Sequence, residues 1–210
     1  MANDAYAYHL NSAGPGKPLL VLFHGTGGNE EQFLSLGAKL APGAGLLAPR
    51  GDVSEHGAAR FFRRTGEGVY DMVDLNRATG KMRAFIAAHV EREQPSAVIG
   101  LGYSNGANIL ASVIFSAPAL FDAAVLMHPL IPFRPVWGGA TVDTKLLVTA
   151  GRHDPICPQP LTSRLLSYLE DAGADLRAEW HDGGHELRPN EINAAADFLA
   201  PLLDNGKDNS

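Results

Sequence analysis

The sequence predicts an α/β protein with a mostly parallel central sheet and helices on both faces. Two observations predict it. Short apolar runs such as Leu19-Leu20-Val21-Leu22-Phe23 recur along the chain, each closed by a Gly- or Pro-rich break and followed by a longer segment with helical spacing. Those runs are apolar at successive rather than alternate positions, as required of strands covered on both faces. At 210 residues the chain reads as one domain, 1–210, and surface scaling lets a chain of this size bury about 70% of its surface.

Taken in order, strands are expected over 19–23, 45–48, 97–101, 123–127, 145–149 and 175–180. Helices are expected over 30–40, 71–93, 107–115, 161–171 and 191–203. In the longest helix Met72, Leu75, Met82, Phe85, Ile86, Ala88 and Val90 form the apolar stripe, and His89 is assigned to the solvated side. Residues 51–70 form a polar, Gly-containing connection with an aromatic and basic knot, Phe61-Phe62-Arg63-Arg64; a connection of that length usually shapes a site. A tail over 203–210 is expected to fray. No repeat or linker divides the chain.

Composition excludes several functions. Seventeen Lys and Arg against 23 Asp and Glu give a net charge of −6, and no basic run tracks phosphates, which argues against a nucleic-acid partner. The single cysteine, Cys157, forms no intramolecular disulfide and reads as packing rather than as a nucleophile. The N-terminus lacks the basic and apolar regions of a secretory signal, and no apolar run approaches the ~20 residues of a membrane span. A cytoplasmic protein with no membrane partner is expected.

Ligands of open α/β sheets bind beyond the carboxyl ends of the strands, so the residues immediately after each apolar run are the candidates for chemistry. Gly102-Tyr103-Ser104-Asn105-Gly106 fits G-x-S-x-G between a strand and a helix, a tight turn that exposes a serine hydroxyl. The competing reading of Ser104 is a helix N-cap. A nucleophilic serine needs a base and an orienting acid. Asp154 follows the strand at 145–149, and His185 follows the last strand through Gly183-Gly184. Asp122 and Asp143 precede apolar runs and belong at the opposite sheet edge, and His181 ends its strand directly, so Asp154 and His185 are preferred. The other histidines, His128 among them, read as structural or surface residues. His24-Gly25-Thr26-Gly27-Gly28 ends the first strand and matches neither phosphate-loop pattern. It suits an oxyanion loop, with backbone donors at Thr26 and Asn105. A metal site is not expected: His181 and His185 lie four apart across two glycines, with no third ligand in the pattern.

Together, Leu22-Phe23-His24-Gly25-Thr26-Gly27-Gly28, Pro49-Arg50-Gly51, Arg60-Phe61-Phe62-Arg63-Arg64, Gly102-Tyr103-Ser104-Asn105-Gly106-Ala107-Asn108, Gly151-Arg152-His153-Asp154-Pro155-Ile156 and Gly184-His185-Glu186-Leu187 resemble the bacterial carboxylesterase/phospholipase family of α/β-hydrolases. Acyl-protein thioesterases look like relatives. The resemblance covers roughly 19–203. It implies the α/β-hydrolase fold without a large cap, a catalytic triad of Ser104, Asp154 and His185, oxyanion donors at Thr26 and Asn105, and no cofactor. The expected partner is a small-molecule ester, hydrolysed through an acyl-enzyme; oligomeric state, including a homodimer, is left open. Thioester or lysophospholipase-like hydrolysis, or non-catalytic binding on the same fold, are the alternatives. The pocket is expected to draw on Phe61, Phe62 and Arg63 and on the loop at 128–137. Arg60, Arg63 or Arg64 would favour an anionic substrate, against the simpler reading of a solvated or ion-paired cluster.

Overall fold

The computed structural model describes residues 5–137 and 143–204. Among them seven strands share one sheet, ordered β1 (Tyr8–Asn11), β3 (Gly45–Pro49), β2 (Leu19–Phe23), β8 (Val98–Tyr103), β9 (Ala123–Met127), β10 (Lys145–Gly151) and β11 (Leu176–His181). All neighbours pair in parallel except β1, which runs antiparallel to β3 with Tyr8 opposite Pro49. Residues 51–70, expected as irregular chain, contain two small antiparallel ribbons, β4 (Val53–Glu55) with β5 (Ala58–Arg60) and β6 (Arg64–Gly66) with β7 (Val69–Tyr70).

The continuous apolar runs serve two cores at once. Leu19, Val21 and Phe23 of β2 join one core, packed by α2 (Met72–Glu93), α3 (Asn105–Ser116) and α4 (Gln159–Asp171). Leu20 and Leu22 join the other, packed by α1 (Leu34–Leu40) and α5 (Pro189–Asp204). Helices therefore cover both faces, because successive strand residues point to opposite sides. No helix among the described residues is long and apolar enough to cross a membrane.

Three local expectations are corrected. Helix α1 begins only at Leu34, because the side chains of Asn29 and Gln32 accept from the backbone N–H groups of Glu31 and Gly25 and hold the preceding chain in turns. Helix α5 starts at Pro189 and runs through Asp204, so it extends beyond the expected 191–203 at both ends; 205–210 lie outside the described residues. His89 is fully buried rather than solvated. It shares the helix face of Phe85 and Ile86, its Nδ1 pairs with the Phe85 carbonyl at 2.9 Å, and Tyr8 of β1 packs edge-on against its ring. The short strand β1, with only partly buried alternating residues, is what covers that helix end.

The chain passes from β2 outward to β3 and returns on the other side of β2 to β8, so the strand order reverses between β2 and β8. Open α/β sheets bind ligands at such a switch point, and the loops that open there are the His24 loop and the Ser104 turn. The elements meet there with little clearance. A Cβ on Gly106 would lie 2.3 Å from the Phe23 carbonyl oxygen, and one on Gly102 would lie 2.6 Å from the Gly106 oxygen. Both obstacles are backbone and cannot yield cheaply. Gly106→Ala is therefore expected to lower the unfolding free energy by about 3 kcal/mol. Gly80→Ala, on the exposed face of α2 with nothing within 4 Å of the added Cβ, is expected to raise it by roughly 0.5–1 kcal/mol. Urea titration of both variants checks the pair.

Candidate active site

Ser104 sits between β8 and α3 with φ 54° and ψ −117°, backbone angles that a residue with a Cβ rarely adopts. Three bonds and contacts hold it there: its N–H donates to the Met127 carbonyl (2.9 Å), its carbonyl accepts from Asn108 N–H (3.0 Å), and glycines flank the turn. The hydroxyl does not cap α3. It lies instead 2.9 Å from His185 Nε2, to which it donates when the ring is neutral.

His185 Nδ1–H donates to Asp154 Oδ2 at 2.7 Å. The Tyr103 hydroxyl donates to the His185 carbonyl (2.7 Å), and the two rings pack 5.3 Å apart, so the loop after β11 is pinned over the serine turn. Asp154 is wholly buried, and its Oδ1 accepts from the N–H groups of Ile156 (2.8 Å) and Cys157 (2.9 Å). Burial alone would raise its pKa; hydrogen bonds from His128, His185 and Cys157 outweigh burial and hold the carboxyl well below the usual range. Ser104, Asp154 and His185, separate in the chain, are thus joined in one hydrogen-bonded line. Asp122 lies at the opposite sheet edge, where its carboxylate accepts from Val98 N–H.

Thr26 and Asn105 border the same cavity of about 350 Å³ as Ser104 and His185. Asn105 opens α3, so its backbone N–H has no intrahelical acceptor and faces the helix's positive end. The first loop is braced from two sides. His24 is buried, donates from Nδ1 to the Gly25 carbonyl (2.7 Å) and accepts at Nε2 from Gly51 N–H (2.9 Å); burial lowers its pKa, consistent with a neutral ring in that role. Arg60 Nη1 donates to Thr26 Oγ1 at 2.9 Å while its Nε lies 3.3 Å from Glu55.

The expected contribution of Phe61, Phe62 and Arg63 to the pocket is corrected. Phe61 and Phe62 are fully buried core residues with no surface to offer a ligand. Phe61 supports the site from behind: its backbone N–H donates to Asn105 Oδ1 (2.8 Å) and its ring packs 4.6 Å from the ring of His24. Arg63 faces a separate surface hollow beside Glu55 and His56. The same segment supplies Arg60, Arg64, Glu67 and Tyr70 instead, and the loop after β9 supplies Leu130. Tyr70 OH donates to the Leu130 carbonyl (2.6 Å) and accepts from Asn108 Nδ2 (2.8 Å), which ties that wall to α3. Cys157 is buried, and burial pushes its thiol pKa up, consistent with an inert packing residue.

Behind Asp154 lies a group that the motifs did not reveal. His128 Nδ1 is 2.9 Å from Asp154 Oδ2 and its Nε2 is 3.0 Å from Glu191 Oε1. His181 Nε2 is 3.1 Å from Glu191 Oε2. His128 had a usable signal, since it follows β9 directly at the same sheet edge as Ser104 and Asp154. Glu191, on the first turn of α5, had none. The sets His128/His181/Glu191 and His128/Asp154/His185 bring possible ligand atoms within 4.8 Å of one another, and the shortest distances in both run between ring nitrogens and carboxylate oxygens.

Residues 4–196 match the dienelactone hydrolase family model. The chain belongs to the dienelactone hydrolase family. This family member is 40% identical over 197 residues to MhqD of Bacillus subtilis (strain 168), covering 93% of this chain and 98% of that one. It superposes on Atu2452 of Agrobacterium tumefaciens str. C58 with TM-score 0.91 and 58% identity, covering 96% and 98% of the two chains. It superposes on the Bacillus cereus carboxylesterase with TM-score 0.89 and 34% identity over 95% and 96%. The protein is a hydrolase of the dienelactone hydrolase and carboxylesterase type with the α/β-hydrolase fold.

The depressed pKa of Asp154 has a consequence for folding. A carboxyl held below its unfolded value stabilises the folded state fully above about pH 4, the unfolded aspartate value, and loses that contribution as pH falls further. Asp154→Asn removes this dependence. The wild-type urea midpoint is expected to fall more steeply than the variant's between pH 5 and pH 2, and parallel curves would count against the assignment.

Proposed function

We propose that this hydrolase cleaves carboxylic esters of small to medium acyl or aryl groups through an acyl-enzyme on Ser104. The observation that carries the reading is the hydrogen-bonded line Ser104–His185–Asp154 opening into the cavity at the sheet's switch point. As Ser104 Oγ attacks the ester carbonyl, His185 Nε2 takes its proton and returns it to the departing alcohol. Asp154 keeps the proton on Nδ1, so that Nε2 presents its lone pair to the hydroxyl. Water then enters, and the same proton path hydrolyses the acyl-enzyme. The N–H groups of Thr26 and Asn105 are the donors for the oxyanion, each worth roughly 3 kcal/mol in sites of this kind.

The cavity volume of about 350 Å³ lies at the lower end for small-molecule sites, which favours short substrates over long acyl chains. The polar side chains of Arg60, Arg64 and Glu67 on its wall favour a substrate with a polar or charged substituent. Thioester hydrolysis uses the same machinery, and a non-catalytic binder would not. A fluorophosphonate probe is expected to label the wild type and not Ser104→Ala, and that variant is expected to lose at least about 10³-fold in kcat on aryl esters. Absence of labelling in both favours a binding protein; faster turnover of acyl thioesters than of matched aryl esters favours the thioesterase.

A further inference from the structure

The buried residues behind Asp154 form a chain of charges that ester hydrolysis as described does not use. His128, Asp154 and Glu191 have no exposed side-chain surface. Each ring nitrogen of His128 faces a carboxylate oxygen, at 2.9 Å on Asp154 and 3.0 Å on Glu191. A carboxylate offers only lone pairs, so a neutral ring would leave one nitrogen lone pair against an oxygen lone pair. Both contacts are hydrogen bonds only if the ring carries both protons. Glu191 accepts from Thr149 Oγ1 (2.5 Å) and Arg188 N–H (2.7 Å), and its two oxygens lie 3.0 Å from His128 Nε2 and 3.1 Å from His181 Nε2, the two ring nitrogens being 3.5 Å apart. The His128 backbone sits at φ 51°, an uncommon conformation for a residue with a Cβ, and Cys157 Sγ–H donates to its carbonyl at 3.2 Å.

We infer that His128, held as an imidazolium between Asp154 and Glu191, is a positioning residue for the ester hydrolysis proposed above, fixing the Asp154 carboxylate against His185. The inference rests on that reading of the site. Asp154 Oδ2 accepts from His185 and His128 together, so the His128 bond settles where that oxygen stands. When His128 gives up its proton, one of its two carboxylate contacts becomes repulsive and the carboxylate loses a fixed cation.

The titratable groups around His128 are Asp154 beyond β10, Glu191 on α5, His181 at the end of β11, His185 in the following loop, Tyr103 at the end of β8 and Cys157 after Asp154. Burial alone would lower the pKa of His128; the two carboxylates outweigh it and push it up to about 9. Burial pushes Tyr103 up to about 12 and raises Cys157 as well, which takes both out of the window in which His128 releases its proton. Activity is therefore expected to decline as pH rises through about 9. Glu191→Gln removes one of the two carboxylates that favour the cation, so His128 releases its proton at lower pH.

Rate profiles on an aryl ester test this. Glu191→Gln is expected to shift the alkaline decline of kcat downward by about one to three pH units. The ratio of kcat at pH 6.5 to kcat at pH 8.5 should rise over the wild type by about threefold for a one-unit shift and about twentyfold for two units, with KM changed little because His128 does not border the cavity. A variant with lower melting temperature but a profile parallel to the wild type would reduce His128 to a structural role and overturn the inference. A second measurement needs neither turnover nor the variant: nitrogen-15 NMR of histidine-labelled wild type and Ser104→Ala. The His128 ring is expected to keep both protons through pH 8 and to lose one near pH 9; a singly protonated ring at pH 7.5 would overturn it. Failure of the ester-hydrolase reading would show separately, as absence of fluorophosphonate labelling.

Discussion

The buried carboxylate of Asp154 is the constraint on which the rest of the site depends. A charge with no access to water is tolerable only when donors replace its hydration, and four do so: two backbone N–H groups on Oδ1 and two histidine rings on Oδ2. Those donors come from loops that follow three different strands. Burying the acid therefore obliges the ends of β9, β10 and β11 to converge, and the ring of His185 arrives over Ser104 as a result.

The serine turn is built under the opposite pressure, that of space rather than charge. For Ser104 to stand clear of the sheet with its positive φ, β8 and α3 must approach each other and the β2 loop more closely than a Cβ allows. The flanking glycines meet that demand locally, and the strand reversal between β2 and β8 supplies the opening into which the turn projects. The His24 ring then spans from the first loop to Gly51, so the backbone facing Ser104 is braced by a neutral imidazole rather than left to move.

The cavity wall combines charge with restraint. Arg60 is buried and occupied by Thr26, the Phe62 carbonyl and Glu55, while Arg64 donates to the same glutamate. Glu55 thus offsets two guanidinium groups, and the cavity is faced by a tethered polar surface rather than a loose cationic patch. The partly exposed Arg64–Glu55 pair adds little stability. The effect of these contacts lies in orientation, since Arg60 also fixes the side chain of Thr26 in the loop after β2.

Much of the fold was legible because the demands are local. Strands sandwiched between two helix layers must be apolar at every position, and the strand-to-helix serine turn must carry glycines at fixed spacing. Strand-end placement was enough to mark Ser104, Asp154 and His185, because a parallel sheet brings all its carboxyl ends to one edge. Other features obey no local rule. Phe61 and Phe62 turned inward and Arg60 and Tyr70 toward the cavity because side-chain direction in an irregular connection follows from packing, not from period. The burial of His89 needed β1, a strand too short and too polar to declare itself. The union of His128 with Glu191 arose only when α5 folded back across the sheet edge, since a glutamate in the first turn of a helix reads as solvated until the tertiary structure closes over it.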